Sequence, residues 1–211
     1  PSSGEVGDPI TINGTGFTGA TSVQFNGVSA SFIVNTDIDI SATVPNNATT
    51  GVVSVTTPSG TNSSSTNFTV QATILSFTPT SGIVGTSVVI TGTAFTGATS
   101  VAFNGVNASY TVNSYSQITA TVPAGATTGT ITVTTAAGTA TSATNFSVGP
   151  NITSFSPSSG VIGTVVTILG TNFTGATDVS FNGVSAITFT VVSSTQIDAT
   201  VPAAATTGLI E

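Results

Sequence analysis

Along the whole chain, hydrophobic and polar residues alternate over short runs, as in Thr130-Ile131-Thr132-Val133-Thr134 and Ile118-Thr119-Ala120-Thr121-Val122. A period of two places successive side chains on opposite faces, which is the pattern of a half-buried β-strand. No stretch sustains a helical period. In the middle of the chain, Val88 and Ile90 face one way, Gly92 breaks the run, and Phe95 is expected to plug a core. Val101 and Phe103 form the next inward pair. Asn104-Gly105 follows and predicts a tight hairpin, because both central positions of a type I′ turn need positive φ. Tyr110 and Val112, then Ile118, Ala120 and Val122, supply two more strands, the second closed by Pro123. Ile131 and Val133 precede the turn at Ala137-Gly138, and Phe146 with Val148 completes the set. With a leading strand around Ile74 and Phe77, this makes about seven strands, in a span somewhat shorter than the usual immunoglobulin-type domain. Two packed antiparallel sheets are the natural way to bury such faces.

The pattern occurs three times. Phe17-Thr18-Gly19-Ala20-Thr21 returns at Phe95 and at Phe173, each a step of 78. Phe25-Asn26-Gly27-Val28 returns at Phe103 and Phe181 with the same step. Ala42-Thr43-Val44-Pro45 returns after 78 residues at Ala120 and after a further 79 at Ala199, so the third copy carries one inserted residue near Ile187 or Thr188. Pro1-Ser2-Ser3-Gly4 matches Pro79-Thr80-Ser81-Gly82 and Pro157-Ser158-Ser159-Gly160, without the strand that precedes those prolines. Thr206 to Ile210 matches Thr127 to Ile131, and Glu211 falls opposite Thr132. The expected organisation is a first repeat at 1–72 with its first strand largely missing, a complete repeat at 73–150, and a third at 151–211 lacking its final strands. That is the expectation for a portion of a longer array.

Several motifs, taken together, resemble the IPT/TIG family of immunoglobulin-like domains. They are Ser76-Phe77-Thr78-Pro79-x-Ser81-Gly82-x-x-Gly85-Thr86, Ile90-Thr91-Gly92-Thr93-x-Phe95, Val101-x-Phe103-Asn104-Gly105 and Ile118-x-Ala120-Thr121-Val122-Pro123. The resemblance spans each repeat. It implies an all-β fold: tandem seven-strand sandwiches arranged end to end, without the disulfide and core tryptophan of antibody domains. Members of the family occur in microbial surface proteins, plexin ectodomains, Rel-type transcription factors and starch-degrading enzymes, so the family implies a fold more firmly than a function.

Composition narrows the function classes. The 211 residues include no Lys, Arg, His, Cys, Met or Trp, and charged residues are 3% of the chain, against about a quarter in ordinary domains. The charges are Glu5, Asp8, Asp37, Asp39, Asp178, Asp198 and Glu211, for a net charge of −7. A chain without cations cannot neutralise phosphates, which argues against nucleic acid as a partner and removes the DNA-binding branch of the family with its basic loops. Without Cys or His there is no soft metal site, thiol nucleophile or imidazole base. No apolar run reaches 18 residues, so no membrane-inserted helix is expected, and no charged n-region marks a signal peptide.

The acidic residues are the chemistry that remains. Asp37 and Asp39, two apart, would share one face if they lie on a strand, and such a pair could hold a weakly bound Ca²⁺ or act as acid and base. Copy two has Tyr115 and Gln117 there, and copy three has Ser194 and Gln196, so the pair is not a feature of the array. Glu5 with Asp8 stands opposite Ile83 with Thr86 and Val161 with Thr164. The structural reading is therefore preferred for both pairs. No catalytic, cofactor-binding or metal-binding residue is assigned: the many Ser and Thr have no base to activate them. Most Phe fall at recurring inward positions, and Tyr115 is the one aromatic expected to be exposed. Asn-x-Ser/Thr occurs at Asn13, Asn47, Asn62, Asn67, Asn107, Asn145, Asn151 and Asn172. These are permitted glycan acceptors, at a frequency that a Ser/Thr-rich chain approaches by composition alone.

Between Val70 and Phe77 lie six residues, and six also lie between Val148 and Phe155. Neither segment is a flexible Gly/Ser coil, and Ile74, Leu75 and Ile152 are expected to join the following sandwich. Successive domains should then stack as a rod rising roughly 35–45 Å per repeat. The expectation is a non-enzymatic structural array, the stalk or fibre of a secreted extracellular or cell-surface protein. Its partners would be neighbouring repeats and other copies of the same protein. Two alternatives stay open: adhesin repeats that hold a surface glycan or protein ligand through their end loops, and a spacer in a secreted carbohydrate-active enzyme.

Overall fold

In the computed structural model, which describes residues 1–211, every regular element is a β-strand. The second repeat shows the complete arrangement. One sheet runs Thr73–Thr78, Ser87–Thr93, Gln117–Thr121, Tyr110–Ser114, with antiparallel neighbours throughout. The facing sheet runs Ser81–Gly82, Gly138–Val148, Gly129–Thr135, Ser100–Phe103, Val106–Asn107. The leading strand thus begins in one sheet and, past Pro79, crosses to the other, where Ser81–Gly82 pairs in parallel with Ser147 and Val148. A proline cannot donate to a ladder, so the break falls where the strand changes sheet. That division, and the two-residue return strand Val106–Asn107 after the Asn-Gly turn, account for nine strand segments where about seven strands are expected from the sequence.

The alternation seen in the sequence is the alternation of burial. Val88 and Ile90, Val101 and Phe103, Ile118 and Ala120, and Ile131 and Val133 all lie in one cluster of 17 buried residues that also includes Phe95 and Phe146. Phe103 meets Phe146 edge-on at 5.2 Å, and the first repeat reproduces the pair as Phe25 and Phe68 at the same 5.2 Å. Such geometry contributes about 0.5–1.5 kcal/mol beyond the area buried. Phe17, Phe95 and Phe173 are all buried in their respective cores, as expected of plugs.

The turn at Asn104-Gly105 has φ of 45° and 84°, the left-handed geometry that the sequence required. Its asparagine does more than turn the chain. Asn104 Nδ2 donates to Thr127 Oγ1 at 2.8 Å and to the Thr128 carbonyl at 3.3 Å. Asn26 makes the same contacts to Thr49 and Thr50, and Asn182 reaches Thr206. Gly129 follows directly, and a Cβ there would overlap the Asn104 side chain. Each hairpin is therefore tied to the loop that ends at the next long strand.

Differences among the copies follow from what surrounds equivalent residues. Phe77, 8% exposed, packs on Phe146; its equivalent Phe155 is 43% exposed, and residues 151–211 include no counterpart of Phe146. The inserted residue of the third copy is taken up in the loop ahead of Phe189–Ser193, with Ile187 turned to solvent. One of the three expected junction residues behaves otherwise. Leu75 does not join the sandwich: pairing slips between Ile74 and Ser76, so Leu75 is the extra residue of a bulge and is 67% exposed. Ile74 stays buried on the inward face, and Ile152 packs partly buried against the third core.

Candidate functional site

No chemistry gathers in one place. The acidic residues are scattered, and no three His, Cys, Asp or Glu side chains come together. Asp37 and Asp39 do not share a strand face. Asp37-Ile38 is the two-residue turn between Phe32–Thr36 and Asp39–Thr43, so only Asp39 belongs to a strand. The hydrophobic pattern of the flanking strands sets that turn, because Val34 and Ile40 must oppose each other. The Asp37 carboxylate accepts from Thr18 Oγ1 at 2.7 Å, Thr18 N–H at 3.1 Å and Gly16 N–H at 3.2 Å. These bonds, the Thr18 hydroxyl first, hold its pKa below the ordinary 3.8. Asp39 keeps one buried oxygen without a partner. Asp8 accepts the Glu5 N–H at 2.8 Å and so closes a local turn.

A depressed carboxylate pKa means that stability gained from the charged form is present above pH 3.8 and lost as pH falls through the lower folded value. We expect the first repeat to lose more thermal stability between pH 6 and pH 2.5 than an Asp37→Asn variant does, measured by circular dichroism melts. Equal losses would show that these bonds do not favour the ionised form.

The most constructed surfaces are the two junctions between repeats. Only Gln71-Ala72 separates Thr69–Val70 from Thr73–Thr78, and only Gly149-Pro150 separates Gly138–Val148 from Asn151–Ser156. Both linkers are pinned by their own backbone: Gln71 N–H donates to Gly4 O and Gly149 N–H to Gly82 O, each at 2.9 Å. At the first junction, Ala94 packs against the core of the first repeat. Tyr115 donates its hydroxyl to the Ala48 carbonyl at 2.9 Å. At the second, Asn172 Nδ2 donates to the Ala126 carbonyl at 3.1 Å. Two clefts flank the first junction. One, of about 260 Å³, runs along Ala48, Thr49, Thr50, Ala94 and Tyr115. The other, of about 280 Å³ and more polar, runs along Glu5, Gln71, Thr73 and Ala137 to Thr141, and the buried Thr73 hydroxyl has no partner.

Tyr115 is thus not the free aromatic expected from the sequence. It is half-buried in the junction, and burial pushes its hydroxyl pKa above the usual value. Asn172, one of the eight Asn-x-Ser/Thr asparagines, has its amide engaged across the other junction. Sequence reading missed both contacts. The signal lay in the mismatches between copies: Gly16, Ala94 and Asn172 at one equivalent position, and Asp37, Tyr115 and Ser194 at the other, inside otherwise repeated motifs.

Among solved structures, one determined with a xylogluco-oligosaccharide is similar at 25% identity and a TM-score of 0.40, covering 98% of this chain and 54% of that one. The surface glycan-binding protein PbSGBP-B from Prevotella bryantii is similar at 20% identity and a TM-score of 0.43, over 69% of this chain and 38% of that one. The plexin A4 extracellular region is similar at 20% identity and a TM-score of 0.36, over 98% of this chain and 20% of that one. The chain therefore spans about half, or less, of the solved chains that it matches. No curated protein matches. The IPT/TIG domain profile matches three times in succession, at residues 1–70, 72–148 and 150–211. With those matches over nearly its whole length, on a strand pattern that repeats with the sequence, the chain belongs to the IPT/TIG domain family.

Proposed function

We propose that this chain is a stiff, non-catalytic spacer, the stalk or fibre segment of an extracellular or cell-surface protein. The observation that carries the reading is the junction: two-residue linkers pinned by backbone hydrogen bonds, with side chains of one repeat bonded to the main chain of the one before. Each repeat keeps its own core, and the joints between cores have little slack, so length rather than binding is what the fold delivers. The ion-poor surface agrees with this role. It offers no Lys or Arg for trypsin-like proteases, and its weak charge opposes lateral packing of neighbouring chains only slightly. Ser and Thr hydroxyls without a base agree with a non-catalytic module. Small-angle X-ray scattering is the test. A rod-like pair-distance distribution with a maximum dimension near the summed rise of the repeats is expected; a compact or broadly averaged profile would overturn the reading.

A second reading draws on the cleft of about 260 Å³ beside Tyr115. There the repeats would hold a short surface glycan, the class of ligand named for two of the similar structures. Titration calorimetry with xyloglucan-type oligosaccharides separates the two. Saturable heat that disappears in Tyr115→Ala supports the glycan reading, and its absence leaves the spacer.

A further inference from the structure

We infer that each junction is specified by a single side-chain donor delivered to one main-chain carbonyl, and that two alternative positions of the following repeat can supply it. This rests on the reading of the chain as a stiff array and names the device that selects which repeats can stack.

The acceptors are equivalent. Ala48 and Ala126 occupy the same place in successive repeats, both buried, and their own N–H groups are used locally on Pro45 and Pro123. Each carbonyl faces the next repeat. A buried carbonyl left without a donor is penalised, so the following repeat must provide one.

The donors are not equivalent, and that carries the inference. In the second repeat the donor is Tyr115, from the turn between Tyr110–Ser114 and Gln117–Thr121, while the facing loop holds only Ala94. In the third repeat the donor is Asn172, at the position of Ala94, while Ser194 replaces the tyrosine. A large donor at one position thus accompanies a small residue at the other, and both reach the same carbonyl. Backbone geometry agrees. Ala94 and Asn172 have φ of 56° and 59°, a left-handed conformation that asparagine tolerates better than alanine.

The first repeat shows what fails the rule. Its two positions are Gly16 and Asp37, neither a side-chain donor there. The Asp37 carboxylate accepts from Gly16 and Thr18. That carboxylate is an acceptor already engaged within its own repeat, so neither position supplies the side-chain donor that the second and third repeats deliver.

The absence of cysteine makes the test direct. Spin labels on Ser29→Cys with Asn107→Cys report the first junction, and on Asn107→Cys with Ser185→Cys the second, at equivalent exposed positions. In the otherwise unaltered protein, double electron–electron resonance should give one narrow distance distribution for each pair. Tyr115→Phe should broaden the first at least twofold and leave the second unchanged. Asn172→Ala should do the reverse. Tyr115→Ser should broaden the first, and adding Ala94→Asn, which copies the pairing of the third repeat, should narrow it again. Unchanged widths in both single variants, over narrow unaltered ones, would overturn the donor rule while leaving the stiff array standing. Broad distributions in the unaltered protein would overturn both.

Discussion

Replacing Gly92 with alanine should destabilise the second sandwich by about 3 kcal/mol or more, at the upper end of what overpacking costs. A Cβ at this position would fall on the Thr73 carbonyl oxygen and on the tip of the Phe95 ring. Neither neighbour can withdraw. Thr73 is fixed by pairing with Thr93, beside Ile74 opposite Gly92, and Phe95 is fully buried. The clash is with main chain, so no rotamer change relieves it. Two controls are built into the repeats. Gly170 meets the same obstacles in Asn151 and Phe173 and should behave alike, whereas the nearest atoms to a Cβ at Gly14 all belong to the Phe17 ring, with no main-chain atom as close, so it should cost less. Urea unfolding followed by far-ultraviolet circular dichroism reads the result. A Gly92→Ala midpoint no lower than that of Gly14→Ala would remove the backbone clash as the cause.

Phe95→Ala should cost about 3–5 kcal/mol, the usual range for truncating a fully enclosed aromatic. Phe95 is 0% exposed in the 17-residue cluster and closes the end of the sandwich that meets the first repeat, where the chain passes from Ser87–Thr93 to Ser100–Phe103. Its backbone is held as well: Phe95 N–H donates to Tyr115 O at 2.9 Å. The loss of packing should therefore appear as a cavity rather than a collapse of the loop. The two substitutions are coupled through the ring. In a Phe95→Ala background Gly92→Ala should cost less than alone, yet still something, because the Thr73 carbonyl stays in place. Strict additivity in thermal or urea unfolding would mean that the ring and the glycine do not share one space.

Much of this architecture was legible because strand burial follows sequence directly. Val88, Ile90, Phe95, Val101, Phe103, Ile118, Ala120, Val122, Ile131 and Val133 can be read as inward from alternation and all are buried. The Asn-Gly turn was legible because its backbone geometry admits few residue types. Leu75 was not, since a bulge shifts alternation by one residue without changing composition, and a single side chain then changes face. Asp37 and Asp39 misled for a related reason: spacing of two implies a shared face only within a strand, and the turn falls between them. Tyr115 misled because exposure was judged within one repeat, whereas its partner lies in the repeat before.

By itself the sequence determined the repeat, its period, the inward set of each strand, the Asn-Gly turns and the absence of cationic, thiol or imidazole chemistry. All of these depend on residues near one another in the chain, or on composition, and a period of two transfers them to structure without knowledge of distant contacts. Only the tertiary structure decided how the leading strand divides between sheets, which asparagine ties which loop, and where Tyr115 and Asn172 deliver their donors. The side-chain ties among them join residues 23 to 67 positions apart. Their energy depends on whether a particular carbonyl is buried by a neighbouring repeat, and no local pattern encodes that.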